Sequence, residues 1–158
     1  MNIVIGTSGL FLLCLVAVFL TLSRPVLANE AVAKIRKLSA ILLSLHIIHF
    51  AEEYVYQFFI QFPAMLGLEP WPEEFFALFN ILWIMVWALA ILGIRLYPRI
   101  SIFPLWFLAI ASVANGLFHP LISITQAEYF PGLMSSVFVG IVGVLLLQRL
   151  FRATKTAE

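Results

Sequence analysis

Five apolar stretches, each close to the roughly 20 residues needed to cross a hydrocarbon core of about 30 Å, constrain this chain more than any other feature. They cover residues 3–22, 38–62, 75–97, 102–122 and 133–150, and the short separators between them carry Pro25, Pro63, Pro70, Pro72, Pro98 and Pro131-Gly132. Backbone amides find no water in lipid, so each crossing must be an unbroken helix that satisfies its own hydrogen bonds. The expectation is one membrane-embedded domain over residues 1–158: an all-α, polytopic membrane helix bundle with about five transmembrane helices, located in the cell membrane as a multi-pass protein. Composition agrees, since 63% of residues are apolar and 11% charged, against about half and a quarter in soluble domains.

The charges also orient the chain. Arg24, Lys34, Arg36 and Lys37 lie between the first two spans, Arg95 and Arg99 between the third and fourth, and Arg149, Arg152 and Lys155 after the fifth. The two remaining loops have no basic residue and hold Glu69, Glu73, Glu74 and Glu128. The positive-inside rule then places the N-terminus outside and the C-terminus in the cytoplasm. A cleaved signal peptide ending near Val26-Leu27-Ala28 is the competing reading of the first span. It lacks a preceding basic residue and its apolar run is longer than a signal core, so the span is expected to be retained.

A net charge of +1 gives no basic surface for nucleic acid. Cys14 is the only cysteine, which excludes an internal disulfide and a cysteine zinc site. There is no aspartate. Carboxylate chemistry therefore falls on glutamates.

The second span contains His46, His49, Glu52 and Glu53. At about 1.5 Å per residue the two glutamates stand about 20 Å from the cytoplasmic start of the helix, just beyond the midplane. At helical periodicity Ser39, His46, His49, Glu52, Glu53, Tyr56, Gln57 and Gln61 share about half the circumference. A carboxylate exposed to lipid at this depth costs about 3 kcal/mol or more, so the stripe faces the bundle interior or a wet cavity. His46, a turn nearer the cytoplasm, reads equally well as a hydrogen-bonded core histidine.

The fourth span carries Ser112, Asn115 and His119 on one face, with Pro120 directly after. Asn115 and His119 are neighbours at four-residue spacing, about 20 and 26 Å into the helix. Two helices thus bring their strongly polar residues to one level. Asn80 on the third span is expected to make an interhelical hydrogen bond. Tyr129, before the Pro131-Gly132 turn, reads as a cap over the cavity or an interfacial anchor. Gly132, Ser136 and Gly140, with Gly143 nearby, mark the fifth span as a closely packed helix. Trp83, Trp87, Trp106 and Phe107 are expected to pack rather than to line a lipid pocket.

Three short patterns stand in order: His49-Phe50-Ala51-Glu52-Glu53, Asn115-Gly116-Leu117-Phe118-His119, and Tyr129-Phe130-Pro131-Gly132 with Ser135. Together they resemble the HXXEE-domain family of small polytopic membrane proteins, whose motifs are H-x-x-E-E, N-x-x-x-H and Y-x-P-G-x-x-T. Ser135 stands where the family has threonine and keeps the hydroxyl. The resemblance implies a membrane enzyme with His49, Glu52, Glu53, Asn115, His119 and Tyr129 in its catalytic site. It implies no substrate.

Three kinds of function follow from these residues. His49, Glu52, Glu53 and His119 form a ligand set for a divalent metal, zinc or iron, with a glutamate as base and Asn115 orienting an oxyanion, suited to hydrolysis of a lipid or isoprenoid-like substrate. A ferritin-like di-iron centre would need more carboxylates. Without metal, one of two adjacent glutamates stays protonated and serves acid–base isomerisation or cyclisation. The alternative is a proton- or ion-translocating or accessory membrane protein. The partners implied are the bilayer and an apolar substrate; an oligomer is compatible with all three.

Overall fold

In the computed structural model, which describes residues 2–24 and 26–155, the chain is an all-helical bundle of six α-helices. Pro25, one of the expected separators, lies outside the described residues. The helices are α1 (Asn2–Ser23), α2 (Val32–Val55), α3 (Phe58–Met65), α4 (Glu73–Gly93), α5 (Pro98–Gln126) and α6 (Leu133–Ala153). A 3-10 turn, Asn29–Ala31, leads into α2, and two-residue strands β1 (Val26–Leu27) and β2 (Thr154–Lys155) pair antiparallel. By length and apolarity four helices can cross a membrane: α1, α4, α5 and α6.

Helix α2 has the length of a span, but its charged residues set it apart from those four. It runs antiparallel along the whole of α6. At one end the Ala28 N–H donates to the Ala153 carbonyl, and at the other Glu52 meets the N–H groups of Met134 and Ser135. The β1–β2 pair brings the α1–α2 connection and the C-terminal segment to the same end of the bundle. Arg24 ties that end together, donating to the carbonyls of Phe151 and Thr154.

The second apolar stretch is not one helix, contrary to the expected continuous span over 38–62. It starts earlier, at Val32, and breaks at Gln57, whose φ of 58° and ψ of 46° are left-handed. The break is tolerated because local partners take the freed groups. Tyr56 N–H donates to the Glu52 carbonyl, and the Tyr56 carbonyl accepts from Gln61 Nε2 at 2.8 Å. The polar stripe therefore ends at Glu53: Tyr56, Gln57 and Gln61 are exposed. Pro63, expected as a separator, lies inside α3.

The core has two parts. A large cluster around Ile35, Leu42, Leu105, Trp106, Leu146 and Leu150 fills the end where β1 and β2 lie, and a second, aromatic cluster of Phe59, Phe62, Trp71, Phe76 and Phe130 lies at the opposite end. Helices α5 and α6 approach backbone to backbone: a Cβ added to Gly116 would stand 2.5 Å from the Gly140 Cα. Gly140 and Gly143 thus serve the packing expected of them. This close contact brings His119 on α5 over the start of α6.

Candidate metal centre

His49 and Glu53 are four residues apart on α2, so the helix stacks them on one face. His119 comes from α5. The three side chains converge: Glu53 Oε1 is 3.5 Å from His49 Nε2 and 3.4 Å from His119 Nε2, and all three ligand atoms lie within 4.8 Å of one another. Both histidines are 1% exposed and Glu53 is 7% exposed. Water therefore does little to screen this group.

The outer nitrogens set which atoms face inward. His119 Nδ1 is 2.6 Å from the Pro131 carbonyl, which can only accept, so Nδ1 carries the hydrogen and Nε2 presents a lone pair to Glu53. His49 Nδ1 lies 2.8 Å from Ser135 Oγ, and its Nε2 lies 3.2 Å from Asn115 Nδ2, which donates. His49 Nε2 is thus also unprotonated, and its one lone pair is the acceptor for Asn115. Imidazoles fixed from behind by a carbonyl and a hydroxyl, with Nε2 facing a carboxylate, are the usual surroundings of a metal-binding histidine.

The spacing fits as well. Ligands about 2.0–2.1 Å from a tetrahedral zinc are separated from each other by about 3.3 Å; the two nitrogen–oxygen separations are 3.5 and 3.4 Å, and the three atoms together lie within 4.8 Å. The residues present therefore suit a divalent ion with two imidazoles and one carboxylate.

Glu52 faces elsewhere. Its carboxylate accepts the N–H groups of Met134 and Ser135, at 3.0 and 2.9 Å, and the hydroxyl of Tyr129. It caps the N-terminus of α6, where free amides and the helix dipole favour an anion. The structure thus separates the two glutamates expected to act as a pair, and it joins Tyr129 to Glu52 rather than to the buried group. Partial burial, together with the Glu52 carboxylate, holds the Tyr129 phenol above its usual range. It stays a proton donor to Glu52.

Gly132 is more than a packing residue. Its φ is +90°, and an added Cβ would stand 2.7 Å from His49 Cε1 and 2.8 Å from His119 Cε1. The Pro131-Gly132 turn is thus wedged against both imidazole rings. Sequence alone marked the turn but not this contact, because a backbone carbonyl and a bare Cα carry no residue-type signal.

A cavity of about 430 Å³ opens beside the group. Glu53, His119 and Asn115 line one part of it, and Phe58, Phe76, Phe79, Trp83, Trp87 and Phe107 supply much of the rest. Trp83, Trp87 and Phe107 pack as expected, Trp87 and Phe107 within the larger core cluster and Trp83 against it, and they also line the cavity, whereas Trp106 is fully buried against Phe151. Asn80 also lines the cavity, but its amide bonds the Phe76 carbonyl of its own helix and does not bridge helices.

Compared with models of known protein families, with characterised proteins and with solved structures, the chain matches none.

Proposed function

We propose that this is a five-span enzyme of the cell membrane in which His49, Glu53 and His119 hold a divalent metal, zinc or iron, and which hydrolyses an ester or phosphoester bond of a lipid or isoprenoid-like substrate. One observation carries the reading. Two imidazole nitrogens and a carboxylate lie within 4.8 Å of one another in a buried site, a ligand set that suits a divalent cation. A metal ion engages all three ligands at once; without it, Asn115 pairs with His49 and a proton on Glu53 pairs with His119.

A bound divalent metal supplies Lewis-acid activation of water and of the scissile oxygen. The chain's own residues do the rest. Glu53 takes the proton of the attacking water on its second oxygen and returns it to the leaving oxygen as that bond breaks. Asn115 Nδ2, beside His49 Nε2, donates to the oxygen on which charge develops. The aromatic cavity holds the apolar body of the substrate and excludes bulk water.

The five-span topology, with the N-terminus outside, is supported by α2 running the full length of α6 and by the gathering of Arg24 and the C-terminal segment at one end of the bundle. Membership of the HXXEE-domain family is part of the proposal. Its support is that residues of all three motifs meet at one place: His49 and Glu53, Asn115 and His119, Pro131 and Ser135.

The test is metal analysis of protein purified in mild detergent and titrated with zinc. About one ion per chain is expected in the wild type and none in His119→Ala, with helical content unchanged. Wild-type protein that takes up no ion would sink the metal reading, and hydrolysis of lipid esters that persists in metal-free protein would point to Glu53 acting alone as acid and base.

A further inference from the structure

One buried titratable side chain in the cavity has no task in the reaction above. His46 lines the cavity and is 6% exposed. Among the described residues, the imidazole hydrogen bonds all belong to His49 and His119, and His46 Nδ1 is enclosed with no partner. His46 is therefore not the hydrogen-bonded core histidine that its position in the sequence allows. Trp87, whose ring stands edge-on to it at 4.8 Å, has an Nε1–H that is likewise unpartnered. Buried polar groups are nearly always paired, so an imidazole with no hydrogen bond at either nitrogen, on the wall of a cavity, calls for a partner.

Seven residues separate His46 from Glu53 on α2, which is about 10 Å along the helix axis. The cavity thus has two polar levels. Glu53, His119 and Asn115 form one, His46 the other, and Trp83, Trp87 and Phe107 surround the inner level, while Thr7 and Asn80, which also line the cavity, are bonded to carbonyls of their own helices.

We propose that His46 is a second binding pole, which hydrogen-bonds a hydroxyl group carried on an apolar ligand about 10 Å from the group that meets Glu53 and His119. With Nδ1 enclosed, Nε2 is the nitrogen that a cavity ligand meets. A hydroxyl both donates and accepts, so it pairs with Nε2 in either tautomer, which a carbonyl or ether oxygen does not. A phosphate or carboxylate at this level would be a buried charge without a cation, because no Lys or Arg lines the cavity. The substrate class is then a hydroxylated lipid. This assignment rests on the reading of Glu53 and His119 as the reacting end.

The experiment is a titration of the full chain in mild detergent with methyl 10-hydroxystearate and with methyl stearate, followed by the emission of the cavity tryptophans. Wild-type protein is expected to bind the hydroxylated ester about tenfold more tightly, the worth of one buried hydrogen bond. His46→Phe should bind both esters with the wild-type affinity for methyl stearate. His46→Gln, which keeps a donor and an acceptor, should retain part of the preference and guards against misfolding of the phenylalanine variant. Equal affinity of the wild type for the two esters, failure to bind either, or a full tenfold preference in His46→Phe each overturns the proposal. Zinc content is measured on the same samples. Its absence counts against the metal reading and leaves the hydroxyl preference to be judged on its own.

Discussion

The Pro131 carbonyl accepts the Nδ1–H of His119 at 2.6 Å, and that single contact turns the lone pair of Nε2 toward Glu53. The same turn continues into Gly132, which leaves no room for a Cβ beside either imidazole ring, and on to Ser135, which holds His49. The turn between α5 and α6 thus sets the inward geometry of one side chain on α5 itself and of another on α2. The buried group is as well defined as this loop is rigid, and Glu52 makes it rigid by capping the first turn of α6.

Gly132→Ala should damage the fold and the metal group together. A left-handed φ of +90° strains any residue with a Cβ, and the added carbon would stand within 2.9 Å of His119 Nδ1 as well as of both ring carbons. Strain and overpacking together cost about 2–4 kcal/mol. Thermal unfolding in detergent should show a lowered midpoint, and zinc uptake should fall below one ion per chain.

Ser135 allows a gentler perturbation. Removing its hydroxyl leaves His49 Nδ1 without a partner at 2.8 Å but leaves the ligands in place. Ser135→Ala should weaken zinc binding about 10- to 100-fold, as loss of a group that orients a ligand does. Ser135→Thr keeps the hydroxyl and should bind zinc as the wild type does. Competition with a chelator of known affinity measures both.

Much of this arrangement is legible in the sequence, and the parts that are not share a cause. His49 and Glu53 on one helix, and Asn115 and His119 on another at the same depth, follow from helical spacing and span position alone. The different fates of Glu52 and Glu53 do not. Adjacent residues lie about 100° apart on a helix, so one faces the cavity and the other α6, and only the position of α6 tells them apart. The break at Gln57 was hidden for a similar reason. Apolar residues continue to Phe62, so hydropathy reads through a left-handed residue that Tyr56 and Gln61 make tolerable. The aromatic cavity was missed because lining and packing aromatics share one composition.

The orientation can be tested without reference to activity. In a Cys14→Ala background, Glu30→Cys lies in the turn before α2, and Glu128→Cys lies between α5 and α6. With five crossings and an external N-terminus, a membrane-impermeant maleimide added to intact cells should label the variant at 128 and not that at 30. Labelling of both from outside would mean an even number of crossings between the two positions, so that α2 does not cross along with α4 and α5.

The two glutamates offer the sharpest contrast. Glu52 accepts two backbone amides and the Tyr129 hydroxyl at a helix N-terminus. An amide there keeps one acceptor, loses another, and removes the charge that favours the helix dipole. Glu52→Gln should therefore lower stability by about 1–2 kcal/mol while zinc still binds one to one. Glu53 stands between the Nε2 atoms of two imidazoles instead. Glu53→Gln removes the anionic ligand and supplies an N–H₂ that can donate to an Nε2, so zinc binding and hydrolysis should be lost while the unfolding midpoint holds or rises. Zinc content and thermal midpoints of the two variants, measured side by side, check this. If Glu53→Gln retains the ion, the metal group has been assigned to the wrong carboxylate, whatever Glu52→Gln does through the turn that it caps.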